Sequence, residues 1–138
     1  MPALFADTFY WVALTSTEDA AHACAAELSR SLRPERIVTT DEVLTEYLAF
    51  FSSARPSVRT QAGSSVVDLI HNSNVLVIAQ SRESFHSGLE LYRARPDKGY
   101  SLTDCISMRT MRREGITEVL TNDRHFEQEG FRALLRDF

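Results

Sequence analysis

The sequence predicts an α/β fold on a parallel sheet. Two observations carry this: short apolar, often β-branched runs alternate with helical segments, and several acids stand where a strand gives way to a helix. With 138 residues, 43% of them hydrophobic and 25% charged, the chain has the composition of a soluble globular protein. One domain over residues 1–138 is expected, large enough to form a core without disulfide or metal staples.

Taken in order, "ALFAD" (3–7) is an apolar run ending in an acid and reads as a buried strand, with a helix beginning near Thr8. "STEDAAHACAAELSRSLRP" (16–34) is alanine-rich and helical, with Pro34 as its stop. "RIVTT" (36–40) is a second short strand. From Thr39 a T-x-x-E pattern leads into "VLTEYLAFFSSA", a capping-box start to a helix over 41–54. That helix ends at Arg55, because the residue before Pro56 disfavours helical backbone. A helix over 57–73, weakened by Gly63, leads to "NVLVIA" (74–79), the clearest strand. The segment 81–96 is helical, with a serine start and Pro96 as its stop. A helix from about 101 to 114 follows, with Gly115 as its C-cap and "ITEVLT" as a fourth strand. "GFRALL" adds a short fifth strand.

Composition narrows the class. No apolar run approaches the roughly 20 residues that span a bilayer, so no membrane partner is expected. The N-terminal stretch has no basic segment ahead of an apolar one, so no signal peptide is expected and the compartment is the cytoplasm. Cys24 and Cys105 fit no metal spacing and read as thiols in a non-secreted chain. The net charge of −4 argues against nonspecific coating of nucleic acid, but 14 of the 15 basic residues are arginine. Arginines beside a small acidic site suit phosphates.

The acids carry the functional argument. In a parallel α/β sheet, ligands bind outside the carboxyl ends of the strands. Asp7 closes the first strand and Asp123 the fourth, while Glu46 and Asp104 lie early in helices that start at that same edge. Singly, three of them have local explanations: Asp7 as a helix cap, Asp104 as a charge at a positive helix end, Asp123 as a turn residue. Glu46 has none. At 100° per residue, Val43, Leu44, Tyr47, Leu48, Phe50 and Phe51 form an apolar arc that Glu46 flanks, one turn beyond Glu42. Four carboxylates brought together raise one another's pKa unless a cation neutralises them. Hard oxygen ligands suit Mg²⁺ or Mn²⁺, and such a site commonly serves phosphodiester hydrolysis.

The same residues resemble a known family. "FADTFYWVAL", "VTTDEVLTEYLAFF" and "YSLTDCISMRTMRREGITEVLTNDRHFEQEGF" look like the successive acidic elements of PIN-domain proteins, and the likeness covers essentially the whole chain. By size it is nearest to the VapC-type toxins of bacterial toxin–antitoxin pairs. The resemblance implies a three-layer α/β/α fold with a central, mainly parallel sheet of four to five strands. It also implies an endoribonuclease using Mg²⁺ or Mn²⁺, acting on tRNA or ribosomal RNA, normally a homodimer and inhibited by a cognate antitoxin. Carried over by motif, the metal-binding and catalytic acids are Asp7, Glu46, Asp104 and Asp123. Thr8 and Thr103 match hydroxyls that steer a water or hold a carboxylate.

Arg93, Arg95, Lys98 and Arg124 are candidate contacts to RNA phosphates. His125 is a weaker candidate for a general acid, and Phe126 reads as a core anchor. Arg109, Arg112 and Arg113 read as a solvated basic face, and Tyr10 and Trp11 as packing residues. The large residues of the helix over 41–54 ask for a second buried surface, a homodimer or an antitoxin groove. Two other readings remain open at this point: a PIN-fold nuclease of RNA maturation without an antitoxin, and a non-catalytic α/β binding module whose acids are incidental.

Overall fold

A computed structural model of the chain describes residues 2–137. Its elements are β1 (Leu4–Ala6), α1 (Thr8–Thr15), α2 (His22–Ser31), β2 (Ile37–Thr40), α3 (Asp41–Phe50), α4 (Pro56–His71), β3 (Val75–Ile78), α5 (Arg82–Ala94), α6 (Leu102–Glu114), β4 (Glu118–Leu120), α7 (Arg124–Gln128) and β5 (Arg132–Ala133). The five strands form one sheet in the order β3-β2-β1-β4-β5, and every pairing is parallel.

Parallel neighbours need crossover connections, and a right-handed crossover fixes the face on which its helices lie. From β1 the chain steps outward through β2 to β3, which puts α1–α4 on one face. It then returns across the sheet to β4, which puts α5 and α6 on the other. The packing agrees: α1 lies against α2 and α3, α3 against α4, and α5 against α6. The expected three-layer α/β/α arrangement is what forms.

β1 is central, and all three of its residues are buried. Because the chain leaves β1 toward β2 on one side and reaches β4 only later on the other, the switch point lies between β1 and β4. In open parallel sheets this is where a crevice opens. Asp7 is the first residue beyond β1.

Several boundaries differ from the sequence reading, each for a local reason. The helix expected over 16–34 begins only at His22, because Asp19 folds the preceding residues into a turn. Its Oδ1 accepts from Ala21 N at 2.8 Å, and its carbonyl accepts from His22 N. The T-x-x-E capping box does not form. Thr39 stays in β2, fully buried, where its hydroxyl donates to Ala6 O at 2.9 Å and accepts from Trp11 Nε1 at 3.3 Å. The N-cap is Thr40 instead, whose Oγ1 accepts from Val43 N at 3.1 Å. α3 stops at Phe50, and a turn carries the chain to Pro56, the first residue of α4. The apolar arc of α3 buries Val43, Leu44, Tyr47 and Phe51, but leaves Leu48 38% and Phe50 63% exposed. α7 is an element that the sequence reading did not assign.

Tyr10, Trp11 and Phe126 are buried, as expected of packing residues, and both cysteines are free. The basic face of α6 is more engaged than expected: Arg109 pairs with Glu90 at 3.0 Å, and Arg112 lies over the Phe131 ring. The α5–α6 contact depends on Gly88, which is buried. A Cβ there would stand 2.4 Å from Ile106 Cγ1 and 3.1 Å from Ile106 N. Gly88→Ala is therefore expected to cost about 1–3 kcal/mol by overpacking. Thermal unfolding followed by circular dichroism should show a Tm lower by roughly 3–10 °C.

Candidate active site: an acidic cleft at the switch point

Four carboxylates reach one open cleft of about 760 Å³ from four elements: Asp7 after β1, Glu46 on α3, Asp104 on α6 and Asp123 ahead of α7. The cleft lies at the carboxyl edge of the sheet.

Asp7 occupies the N-cap position of α1 but makes no side-chain cap there. Its Oδ2 accepts from Thr121 Oγ1 at 2.9 Å instead. Asp7 is only 6% exposed. Burial pushes its carboxyl up to about 7, and the charge of Asp104 adds to the rise while the Thr121 bond opposes it. A capping role therefore does not account for this residue.

Glu46 is exposed on α3, outside the core rim where the helical wheel placed it. Its Oε1 accepts a short hydrogen bond from Thr8 Oγ1, which ties the start of α1 to α3. Asp104 is half-buried and closes a capping box with Ser101. Ser101 N donates to Asp104 Oδ2 at 3.1 Å, and Asp104 N to Ser101 Oγ at 3.0 Å. Burial raises the Asp104 pKa, Ser101's hydrogen bonds pull against that, and the charges of Asp123 and Glu46 add to the rise. The local role foreseen for Asp104 is thus real, and it coexists with exposure to the other acids.

Asp123 caps α7, its Oδ1 accepting from His125 N at 2.9 Å. Thr121 joins the two strands' acids: fully buried, it donates to Asp7 and accepts from Asp123 N at 3.2 Å. The sequence reading passed over Thr121. Its only signal there was a hydroxyl two residues before an acid at a strand end.

The structure brings Thr8, Arg124 and His125 to the cleft, but not Thr103, Arg93, Arg95 or Lys98. Thr103 lines a separate depression with Glu42, Arg82 and Phe85 on the far side of the first turn of α6. Arg93, Arg95 and Lys98 are absent from the cleft lining. Arg95 is engaged elsewhere: its Nε and Nη2 donate to Glu129 at 3.0 and 3.2 Å, and Tyr100 adds its hydroxyl to the same carboxylate at 3.1 Å. Arg136, another residue the sequence reading passed over, reaches the cleft rim and donates to Asn122 O at 3.2 Å.

The donor set fits a hard divalent cation. Among the described residues, none of the four acids forms an ion pair with a lysine or arginine, and the His125 ring stands beside Asp104 and Asp123. The closest ligand atoms are those of Asp104, Asp123 and His125, all within 4.8 Å of one another. Asp7 and Glu46 line the same cleft, and the charges of neighbouring acids add to the burial that raises the pKa values of Asp7 and Asp104. Oxygen-rich sites of this kind take Mg²⁺ or Mn²⁺.

A parallel α/β/α sheet with acids converging at its switch point defines a class of proteins. Residues 4–131 match the PIN domain, and the chain belongs to the PIN-domain family. It is 27% identical over 128 residues to the 23S rRNA-specific endonuclease VapC20 of Mycobacterium tuberculosis, covering 93% of this chain and 95% of the relative. The crystal structure of VapC20, described as a Sarcin-Ricin loop cleaving toxin, superposes with a TM-score of 0.82 at 26% identity, over 93% of this chain and 95% of that one. The fold is also similar to VapBC2 of Rickettsia felis bound to a promoter DNA fragment, with a TM-score of 0.64, 18% identity and 96% and 97% of the two chains covered. FitAcB of Neisseria gonorrhoeae matches with the same TM-score of 0.64 at 12% identity, over 96% of each chain. Among the described residues no helix is long and apolar enough to cross a membrane.

Proposed function

We propose that this protein is a divalent-metal-dependent endoribonuclease that cuts ribosomal RNA, the toxin of a toxin–antitoxin pair. The observation that carries the reading is the convergence of Asp7, Glu46, Asp104 and Asp123 on one cleft at the switch point, with no lysine or arginine among the described residues paired to any of them. The likeness to VapC20 over nearly the whole chain supports ribosomal RNA as the substrate class. The likeness of the fold to VapBC2 and FitAcB is in keeping with an antitoxin partner.

Asp7, Glu46, Asp104 and Asp123 would hold Mg²⁺ or Mn²⁺, which when bound polarises the scissile phosphate and lowers the pKa of water. The chain's own residues provide the frame. Thr121 fixes the Asp7 carboxylate, Thr8 fixes Glu46, Ser101 fixes Asp104 and the His125 backbone N–H fixes Asp123, so each acid is oriented before substrate arrives. Arg124, exposed at the cleft, is placed to meet a backbone phosphate.

The test is incubation of purified ribosomes, ribosomal RNA and tRNA with the protein, with 5′-end mapping of fragments. Discrete cuts in ribosomal RNA that require Mn²⁺ or Mg²⁺ and stop in EDTA are expected. Intact RNA under every metal condition would overturn the proposal, and cuts confined to tRNA would overturn its substrate.

A further inference from the structure

We infer that His125 supplies a nitrogen ligand, through Nδ1, to the divalent cation shared with Asp104 and Asp123, and that this nitrogen makes the cleft prefer Mn²⁺ to Mg²⁺. The inference rests on the metal-dependent reading of the cleft and deepens it.

The geometry comes first. His125 Nδ1 stands 3.2 Å from Asp123 Oδ1 and 3.8 Å from Asp104 Oδ2. The atom is buried, yet it makes no hydrogen bond. Proximity without alignment to either carboxylate is what a nitrogen directed at the space between them would show. As a ligand, Nδ1 would place its lone pair between the two carboxylates, where one cation could meet all three.

The ring is also held in place. It packs edge-to-face with Tyr100, centroids 5.4 Å apart at 62°. Tyr100 is itself buried, its hydroxyl donating to Glu129 Oε1 at 3.1 Å, and Arg95 clamps that carboxylate from the other side at 3.0 Å. Arg95, Glu129 and Tyr100 thus form a chain of contacts that steadies the imidazole. Of the four histidines in the chain, His125 is the one that lines the cleft.

Ligand chemistry gives the selectivity. Mg²⁺ demands hard oxygen donors in near-ideal octahedral geometry, whereas imidazole suits transition metals, and Mn²⁺ accepts both donor types. An all-carboxylate cleft has little basis for telling the two ions apart. One nitrogen in the set tips it toward Mn²⁺.

The experiment loads the full-length protein with Mn²⁺ and records pulsed electron paramagnetic resonance of the bound ion. Deep ¹⁴N modulation from a directly coordinated imidazole is expected in the wild type. Protein grown with ¹⁵N-histidine should replace it with the ¹⁵N pattern, which assigns the nitrogen without any variant. His125→Gln should lose the modulation, and its preference for Mn²⁺ over Mg²⁺, measured by displacement, should fall on the order of ten-fold. Bound Mn²⁺ without histidine coupling in the wild type overturns this inference and leaves the metal-dependent reading standing. No bound Mn²⁺ overturns both.

Discussion

Asp7→Asn is expected to remove RNA cleavage and at the same time to stabilise the metal-free protein. Both effects have one origin. Asp7 is the deepest of the four acids, and its burial, together with the charge of Asp104, pushes its carboxyl up to about 7. Above that pH the folded protein carries a buried anion that the unfolded chain would rather expose. Asparagine keeps the shape and an acceptor for Thr121, and removes the charge. Cleavage is expected to fall by at least about 100-fold, since a charge that helps hold the cation is lost.

The sign of the stability effect follows from linkage. The folded-state pKa is raised above its ordinary value of 3.8, so the folded form binds this proton more tightly than the unfolded form. The resulting stability is fully present below about 3.8 and is lost as pH rises through about 7. In chelator, the wild type should therefore gain stability as pH falls from about 8 toward 5, and Asp104, shifted the same way, contributes with the same sign. Glu129 opposes them, because its pKa is lowered and its contribution is lost as acid is added. The difference between wild type and Asp7→Asn isolates the one group. Denaturant titrations across that window should show the variant more stable at the alkaline end, with the gap closing in acid. A gap that does not change with pH would show that Asp7 is not the buried acid described here.

Divalent cations are expected to raise the unfolding temperature of the wild type, and Asp104→Asn to abolish most of that rise. An ion that binds only the folded protein stabilises by mass action, about 2.7 kcal/mol at a concentration of 100 times its Kd. For a chain of this size that is a Tm increase of roughly 5–10 °C. Asp104→Asn is a clean probe because an asparagine oxygen at this position can still accept from Ser101 N, so the capping box survives while the charge does not. Differential scanning fluorimetry with and without Mn²⁺ reads the result. A variant that responds to Mn²⁺ like the wild type would remove Asp104 from the cation site. If neither protein responds, the acids are incidental and the chain is a binding module.

Much of this was legible in the sequence because it is written in local patterns. The alternation of strand and helix, the serine start at Ser81, and Gly115 at φ 70° all appear where short-range chemistry puts them. The edge rule for parallel sheets then brought the four acids to one place without any knowledge of their contacts. What the sequence could not disclose depends on pairings between distant segments. Thr39 satisfies every local criterion for a helix cap, but a carbonyl on β1 and the indole of Trp11 claim its hydroxyl first. Arg95 looked free for RNA until Glu129 lay beside it. Thr121 acquires its role only through Asp7, 114 residues away. The helix of α7 is five residues long, too short to announce itself by periodicity.

The bond between Asp7 and Thr121 also sets a timetable. A chain is made from its N-terminus, and domains fold as their segments become available. β1, α1 and β2 can associate early, yet the cleft lacks the partner of its most buried acid until β4 pairs with β1. Asp123 and His125 lie later still. A ribosome that stalls anywhere before this point releases a fragment with part of an acidic edge and no complete constellation. A segment that lacks β4 and α7 therefore holds only part of the acidic edge, and the four acids come together once both are in place.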